Sequence, residues 1–223
     1  MSGHPWPLFD LRLRTPRLEL RLPTDDELLA LMPVARAGIL EEGQVFFAFA
    51  WHEVPSPAFE REFLQYWWRH RGTWRPSEWS LGLAVFLDGR PIGIQSIAGR
   101  DFAVRRTVAT GSWLGKPYQG QGYGTEMRAA VLTLAFEGLG ALCAESGYFP
   151  GNRASSGVSG KLGYVENGEE VVSVAGKRHV EQRLRLTPET WQRDLVPVTI
   201  EGLDPCLPLF GVGELSASDW ASL

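Results

Sequence analysis

The chain has 223 residues, of which 44% are apolar and 22% charged, and its formal net charge at pH 7 is −4. This is an ordinary globular composition with enough apolar residues for a sizeable core, and it lacks the basic surplus of a typical nucleic-acid-binding protein. The two cysteines predict no disulfide framework, and the four histidines lack the spacing of metal ligands. These features predict no metal and no nucleic-acid partner. Because no signal-peptide pattern or membrane-length apolar run is found, we also predict a cytoplasmic protein with no membrane partner.

The first part of the chain predicts one strand and two helices. Apolar residues alternate from Leu11 to Leu22, which predicts a half-buried strand. Thr24 followed by three acidic residues is typical of a helix start, and we expect Pro33 to kink or end that helix. An irregular apolar segment is expected over 38–56. A second helix is predicted over 57–71, where aromatic residues recur at helical spacing.

The remainder of the chain predicts a sheet with one central crossover. In order, we predict a hairpin (80–87 and 92–97), a strand (104–114), a helix (123–137), a strand (141–149), a short helix (152–162), a second hairpin (171–174 and 180–186) and a Pro-rich tail from 187. This order predicts a mixed α+β fold, because a doubly wound sheet would alternate strands and helices more strictly.

A glycine-rich turn precedes the crossover helix. It reads Gln119-Gly120-Gln121-Gly122-Tyr123-Gly124 and lies between a strand and an amphipathic helix. The first N–H groups of a helix have no partner within it, and glycines leave them open to a ligand. The positive end of the helix dipole favours an anion there. The turn therefore predicts a phosphate or pyrophosphate site.

Two common nucleotide motifs fit this turn poorly. A dinucleotide site needs G-x-G-x-x-G, whereas the glycines here alternate. Glu145 lies at a suitable distance for a ribose contact, but the turn follows about a hundred residues of other elements, where a dinucleotide motif would be expected near the first strand. A Walker motif is excluded because no Gly-Lys-Ser/Thr follows the turn.

Three ordered motifs resemble the GNAT superfamily of acyl-CoA-dependent N-acyltransferases. Gln119, Gly122 and Gly124 match its Gln/Arg-x-x-Gly-x-Gly/Ala motif, and the segments 152–155 and 161–164 look like its Asn-x-x-Ser and Lys-Leu-Gly-Phe/Tyr signature. The opening segment 15–21 and the segment 186–191 are similar to the branch of ribosomal-protein N-terminal alanine acetyltransferases, RimJ and RimL. The resemblance spans about 11–191. It implies a mostly antiparallel, splayed central sheet, an acyltransferase domain over 1–191, and an extension over 192–223.

The resemblance also implies where acetyl-CoA, or alternatively succinyl-CoA, would bind. The pyrophosphate would contact the backbone N–H groups of the glycine turn (Gln119, Gly120, Gln121, Gly122, Tyr123, Gly124 and Thr125). The pantetheine arm would pair with Ser112, Trp113 and Leu114, whose amides would also polarise the thioester carbonyl. Asn152 would bind a pantetheine amide or act as a helix N-cap, and Ser155 would contact the cofactor.

The implied chemistry is attack of a neutral amine on the thioester in a ternary complex, and it needs two proton transfers. Many family members use a Tyr as the acid, but Ser159 stands at that position here. Ser155 is the alternative acid, or else a capping hydroxyl. We expect Glu145 to be the base, with a pKa raised by partial burial, and Asp101 to be the alternative. Glu126 would serve the helix dipole.

The acceptor is an amine whose nature the sequence leaves open. Five tryptophans (Trp51, Trp67, Trp68, Trp74 and Trp79) crowd the segment expected to form the acceptor pocket or the core. His52, Glu53, His70 and Arg75 could orient a polar acceptor, and Arg75, Arg105 or Arg106 could bind a succinyl carboxylate. The acceptor is a protein N terminus or lysine, or a small antibiotic or metabolite amine. A non-catalytic CoA-binding module is the further alternative, and the branch implies a homodimer.

Overall fold

The computed structural model describes residues 4–39, 51, 54–174 and 176–213. The described strands are β1 (Arg12–Arg14), β2 (Leu18–Arg21), β3 (Glu78–Leu87), β4 (Arg90–Arg100), β5 (Thr107–Leu114), β6 (Cys143–Tyr148), β7 (Val165–Val174), β8 (Lys177–Leu186) and β9 (Thr199–Glu201). The helices are α1 (Asp25–Arg36), α2 (Ala58–Gly72), α3 (Phe102–Arg105), α4 (Tyr123–Thr133) and α5 (Arg153–Leu162).

The described strands form one sheet in the order β7-β8-β6-β5-β4-β3-β2-β1-β9. Among these neighbours only β5 and β6 run parallel, with α4 as the crossover between them. Their pairing is short, because Thr107–Ala109 pair with Cys143–Glu145 and the two strands then separate. We call the gap beyond Ala109 and Glu145 the fork. The predicted mixed α+β class and mostly antiparallel, splayed sheet are confirmed.

Helices cover both faces of the sheet. On one face α4 packs on the strands through Met127, Ala130 and Val131. On the other face α1 and α2 form a separate apolar layer, in which Phe59, Phe63 and Trp67 are buried. The sheet therefore has a core on each side, and the fork opens between them.

Three predicted elements differ in detail. The predicted strand 11–22 is two strands, β1 and β2, because a turn at Pro16 folds the chain back on itself. Pro33 does not end its helix, since α1 continues to Arg36. Residues 104–106 are not strand: Val104 lies in the short α3, and Arg106 has a left-handed φ of 47° that precedes β5. Most of the predicted irregular segment 38–56 lies outside the described residues.

The start of α1 is stabilised by a reciprocal capping box. Glu27 N donates to Thr24 Oγ1 (3.3 Å), and Thr24 N donates to Glu27 Oε2 (2.9 Å). Arg21 also donates to both carboxylate oxygens of Glu27. Burial alone would raise the pKa of Glu27, but the hydrogen bonds from Arg21 and Thr24 outweigh it and leave that pKa below its usual value.

We predict that Glu27→Gln lowers the free energy of unfolding by about 1–2 kcal/mol at pH 7. Because the native pKa of Glu27 lies below the unfolded value of about 4.3, its stabilising effect is present above that pH and is lost as the pH falls through the native pKa. Urea unfolding at pH 7 and at decreasing pH measures the difference. Glu166→Gln, on the exposed β7, is the control. If the difference in free energy of unfolding between the wild type and Glu27→Gln stayed constant as the pH falls, ionised Glu27 would not be the stabilising group.

The C-terminal segment joins the sheet and one core. Strand β9 pairs with β1, and the following 3-10 helix (Asp204–Phe210) buries Phe210 completely. Trp74 and Trp79 donate their indole N–H groups to the carbonyls of Leu209 (2.8 Å) and Phe210 (3.2 Å). The domain division at residue 191 stays a prediction. None of the helices in the described part of the chain is both long and apolar enough to cross a bilayer, and the cytoplasmic location stays a prediction.

Candidate active site

A cavity of about 540 Å³ opens at the fork. Its walls come from the C-terminal half of β5, from β6, and from the N-terminal parts of α4 and α5. The residues that line it include Ser112, Trp113, Leu114, Gln119, Gly124, Arg128, Glu145, Asn152, Ser155 and Glu181. Most of the residues predicted for cofactor binding are thus brought to one cavity.

The glycine turn lines this cavity through Gln119 and Gly124, and it contains a run of backbone N–H groups. Gly120 and Gly122 have φ values of 74° and 86°, which favour glycine, and Gly122 is the N-cap of α4. Within the described residues, no acceptor is found for the N–H groups of residues 120–124. The N–H groups at the two ends of the predicted anion site already have acceptors, because Gln119 N donates to Lys116 O and Thr125 N donates to Gly122 O. The amide cradle is therefore 120–124.

Side chains around the cradle brace it. The Gln119 amide nitrogen donates to the carbonyls of Ile39 (2.7 Å) and Leu114 (2.8 Å), so this side chain fixes the turn to the end of β5. Glu126 lies in the first turn of α4, where a carboxylate suits the helix dipole, and it also pairs with Arg17 at 2.6 Å and accepts a hydrogen bond from Thr15 at 2.9 Å. Arg17 also donates to the carbonyl of Gln121 (3.1 Å). The motif near the N terminus thus supports the turn.

The backbone edge of β5 is open along the fork. On one side β5 pairs with β4 as far as Leu114, whereas on the other side its pairing with β6 stops at Ala109. Residues 112–114 therefore have no β6 partner along the fork, and the Leu114 carbonyl is bound by the Gln119 side chain. An extended ligand needs such a strand edge without a neighbouring strand. The Trp113 ring lies on the face of α2, with its centroid 5.5 Å from that of Trp51.

The start of α5 contributes two polar groups to the cavity. Asn152 is the helix N-cap, because its Oδ1 accepts a hydrogen bond from Ser155 N at 3.0 Å. Among the described residues no acceptor is found for the Asn152 amide N–H groups, so they can donate to a ligand. Ser155 lines the same cavity, whereas the buried Ser159, at the position of the family's acid, does not.

Three carboxylates surround the guanidinium of Arg183 on the β6 and β8 side of the fork. Glu145, with its side chain 32% exposed, lies 4.0 Å from the guanidinium of Arg183. The same guanidinium lies 3.0 Å from Glu181 and 3.6 Å from Glu170. A Cβ on Gly147 would lie 2.6 Å from Cδ of Glu181, so Glu181 leans directly over β6 beside the fork. The three carboxylates and one guanidinium carry a formal charge of −2.

Asp101, the alternative base, is not brought to the site. It has a left-handed φ of 49° and is the N-cap of α3, at the end of β5 opposite the fork. It does not line the cavity. The left-handed turn accounts for an aspartate at position 101 without a catalytic role. Glu181 lies closer to the fork than Asp101. Glu181 was missed because it is one of several charged residues on β8, and only its alternation with the buried Leu184 and Leu186 could have indicated its face.

A second cavity of about 560 Å³ lies on the α2 face of β5. Its walls are mainly aromatic, and it shares Gly111, Ser112 and Trp113 with the first cavity. The residues that line it from outside β4 and β5 are Trp51, Phe59, Phe63, Tyr66, Trp67, Glu62, Gln65 and Arg69. The two cavities therefore meet at β5, one on each side.

The five tryptophans divide between different roles. Trp51 and Trp67 line the aromatic cavity, as expected for an acceptor pocket. Trp68 is exposed and donates to Asp25, while Trp74 and Trp79 pack against the C-terminal segment instead. His70 lies next to this cavity on α2, where burial and the neighbouring Arg69 lower its pKa. His52 and Glu53 lie outside the described residues.

A buried arginine at the fork has no counterpart in the sequence predictions. Arg128, on α4, is only 4% exposed and lines the first cavity. It falls on the apolar face of α4, three residues before Val131. A charged residue on an apolar helix face could have indicated a buried polar site. Its partners are Gln95, Thr110, Ser112 and Ser146, all of them neutral.

Comparison with known proteins agrees with this geometry. The model of the acetyltransferase (GNAT) domain family matches residues 17–165, about two thirds of the chain. A putative ribosomal-protein-serine acetyltransferase from Vibrio cholerae is 25% identical, with a TM-score of 0.63 over 79% of this chain and 97% of that one.

Two further solved structures share the fold. RimJ from Mycobacterium smegmatis, in complex with CoA-disulfide, is 20% identical, with a TM-score of 0.66 over 82% of this chain and 90% of that one. RimL, a ribosomal L7/L12 α-N-protein acetyltransferase in complex with coenzyme A, is 16% identical, with a TM-score of 0.62 over 78% and 95%. The match of the domain family to most of the chain, together with this fold, shows that the protein is a member of the GNAT acetyltransferase family, an N-acetyltransferase that uses a CoA-based acyl donor.

Proposed function

We propose that the protein transfers an acetyl group from acetyl-CoA to a primary amine by direct attack in a ternary complex. The observation that carries this proposal is the run of unpaired N–H groups at 120–124, which stands at one end of a cavity that leads into the fork. An aromatic cavity meets it from the other face of β5. Donor and acceptor can therefore reach the same strand from opposite sides.

The residues present fit coenzyme A. The amide cradle suits a diphosphate, because its five N–H groups have no acceptor among the described residues and lie at the positive end of α4. The open edge of β5 at 112–114 suits the amides of a pantetheine arm, and the free amide of Asn152 is a further donor. Backbone N–H groups on this edge would also polarise the thioester carbonyl.

Carboxylates at the fork cavity suit an ammonium substrate. The cluster of Glu145, Glu170, Glu181 and Arg183 attracts a cation and can accept its proton, directly or through water. Glu181 is the better-placed base, because it leans over Gly147 at the fork, and Glu145 is the alternative. Ser155 stays a candidate for donating a hydrogen bond to the departing sulfur.

The exchange of Glu181→Gln tests this assignment. We expect kcat/KM for the amine to fall by about 100-fold at neutral pH and to recover partly as the pH rises, because more of the amine is then already deprotonated. Glu145→Gln is expected to have a smaller effect, and Glu169→Gln, on the exposed β7, serves as the control. Equal rates for wild type and Glu181→Gln across the pH range would exclude Glu181 as the base.

The nature of the acceptor is open between two classes. A protein N terminus is favoured by the acidic cluster at the fork, which suits a charged peptide end. It is also favoured by the similarity to RimL, a protein α-N-acetyltransferase, and to the Vibrio cholerae ribosomal-protein-serine acetyltransferase. A small amine with an apolar or ring-bearing body is favoured by the aromatic cavity, whose volume of about 560 Å³ is in the range of small-molecule sites.

Succinyl-CoA is the alternative donor. A succinyl carboxylate would need a cation near the acyl end, and none of Arg75, Arg105 and Arg106 is among the described residues that line either cavity. Arg75 and Arg106 instead donate to backbone carbonyls of Trp74 and Leu139. Among the described residues that line the fork cavity, Arg128 is the buried cation a carboxylate could approach.

Thiol release from acetyl-CoA and succinyl-CoA with a panel of amines tests the proposal. The panel contains peptides with different N-terminal residues, a lysine peptide, a polyamine and arylalkylamines. We expect turnover with at least one amine and saturation in both substrates. Tight CoA binding without turnover of any amine would support the non-catalytic alternative. The homodimer expected from the RimJ/RimL branch stays a prediction that light scattering can test.

A further inference from the structure

Arg128 is a buried cation without an anionic partner. Its Nε donates to Gln95 Oε1 (3.3 Å), its Nη1 to Thr110 Oγ1 and Ser146 Oγ (both 3.0 Å), and its Nη2 to Ser112 Oγ (3.1 Å). No carboxylate in the described part of the chain pairs with it. Burying a guanidinium among neutral groups is costly, so the position demands a reason beyond packing.

The guanidinium bridges the two strands at the point where they separate. Backbone pairing of β5 and β6 ends at Ala109 and Glu145, and Nη1 of Arg128 joins the next residue on each strand, Thr110 and Ser146. Arg128 thus fixes the width of the fork. It also lines the cavity where a thioester would lose its sulfur, which is where negative charge develops during the reaction.

The three hydroxyl groups bound to Arg128 differ in where their protons go. Thr110 donates to the carbonyl of Glu145 (3.2 Å), and Ser146 faces the carbonyl of Thr110 at 3.5 Å. For the Ser112 hydroxyl, the described residues provide no acceptor. Since Ser112 Oγ accepts from Arg128, its O–H is directed away from the guanidinium and is available to a ligand. Ser112 also lines both cavities.

We propose that Ser112, held and polarised by Arg128, is a catalytic residue that relays a proton to the departing CoA sulfur. The inference rests on the proposed function and deepens it. After the amine nitrogen attacks the thioester carbon, the C–S bond breaks and the sulfur leaves with the bonding electron pair. Ser112 gives its hydroxyl proton to this sulfur and takes the surplus proton of the new amide nitrogen. The products are the amide and the CoA thiol, and the serine is regenerated.

Arg128 is a positioning residue in this scheme, because it acts through Ser112 and through its charge. A cation next to the cavity stabilises a thiolate relative to a thiol. The bound CoA thiol should therefore ionise more readily than free CoA. This property belongs to the binary complex with CoA and can be measured without knowing the acceptor.

Ultraviolet absorbance of the thiolate tests the inference in the complex with CoA. The complex with desulfo-CoA serves as the reference, so that the protein thiols cancel; burial, and to a lesser extent Asp10, already raise the pKa of Cys206 to about 12. In the wild type we expect the bound thiol to titrate about one pH unit or more below the usual thiol value of about 8.5. Ser112→Ala and Arg128→Met should both move the titration back toward that of free CoA, and Arg128→Lys should retain part of the shift.

Kinetics with an acceptor found by the thiol-release panel supplies the second readout. Ser112→Ala should lower kcat by roughly 100-fold with little change in CoA affinity, and Ser112→Thr should recover part of the rate. Ser156→Ala, which removes a hydroxyl on α5 that donates to the carbonyl of Arg153 and does not line the fork cavity, is the matched control.

Three results would overturn the inference. The first is that the bound CoA thiol titrates like free CoA. The second is that Ser112→Ala leaves both the titration and kcat unchanged. The third is that Ser155→Ala, and not Ser112→Ala, changes the titration and kcat. If Arg128→Met lowered kcat with succinyl-CoA but not with acetyl-CoA, Arg128 would be assigned to binding of the acyl carboxylate instead. Absence of CoA binding in the wild type would contradict the proposed function itself, which separates the two failures.

Discussion

Replacing Gly124 with glutamate is expected to raise the dissociation constant of CoA by about 100-fold or more, while the protein stays as stable as the wild type. Gly124 is in the first turn of α4 and lines the cavity, and its φ is not left-handed. A glutamate there suits the helix, because it has the higher helix propensity and its charge matches the positive end of the dipole. The same carboxylate would occupy the place of the diphosphate and repel it.

This substitution separates binding from folding. A Cβ at position 124 would lie 3.2 Å from Cγ2 of Val158, a close contact that a small shift of that side chain relieves. Isothermal titration with CoA measures the affinity, and thermal unfolding measures the stability. Gly157→Glu is the matched control, because a Cβ there meets no atom within 4 Å and Gly157 does not line the cavity. Unchanged affinity in Gly124→Glu would place the diphosphate elsewhere.

Replacing Phe210 with alanine is expected to lower the free energy of unfolding by about 3–5 kcal/mol. Phe210 is fully buried, and its ring lies 4.8 Å from that of Trp79 and 5.6 Å from that of Trp74. The backbone around it also accepts the hydrogen bonds of both indole groups, so loss of the segment would leave two buried donors unpaired. The extension after residue 191 would then be needed for the stability of the whole fold.

Urea unfolding followed by tryptophan fluorescence measures this effect. Leu195→Ala, which lies in the same segment and is 50% exposed, is the control and should change the stability by less than about 0.5 kcal/mol. A change of less than about 1 kcal/mol in Phe210→Ala would indicate that the segment is an appendage that the domain does not require.

Local patterns predicted the elements that carry the site. The helix start at Thr24 and the glycine turn could be predicted because each depends on residues within a few positions. The family resemblance then placed the turn, β5 and α5 in one cavity, and their assembly there agrees with it. That agreement concerns position, and the role of each residue in binding stays a prediction.

Residues that depend on distant parts of the chain were not predicted. Asp101 is a turn residue in the structure, while Glu181 reaches the fork from β8 and Arg128 from α4. A single sequence gives the face of a strand or helix but not the element that lies opposite. The roles of Trp74 and Trp79 were unclear for the same reason, since they pack against a segment more than a hundred residues away.

The central claim is that the amides of residues 120–124 hold the diphosphate of CoA and direct its sulfur into the fork. A crystal structure of the protein with bound CoA tests it most directly. We predict diphosphate oxygens within hydrogen-bond distance, about 2.7–3.2 Å, of these backbone nitrogens, and the sulfur between β5 and β6 beside Ser112. A diphosphate bound away from this turn, or a sulfur outside the fork, would contradict the claim.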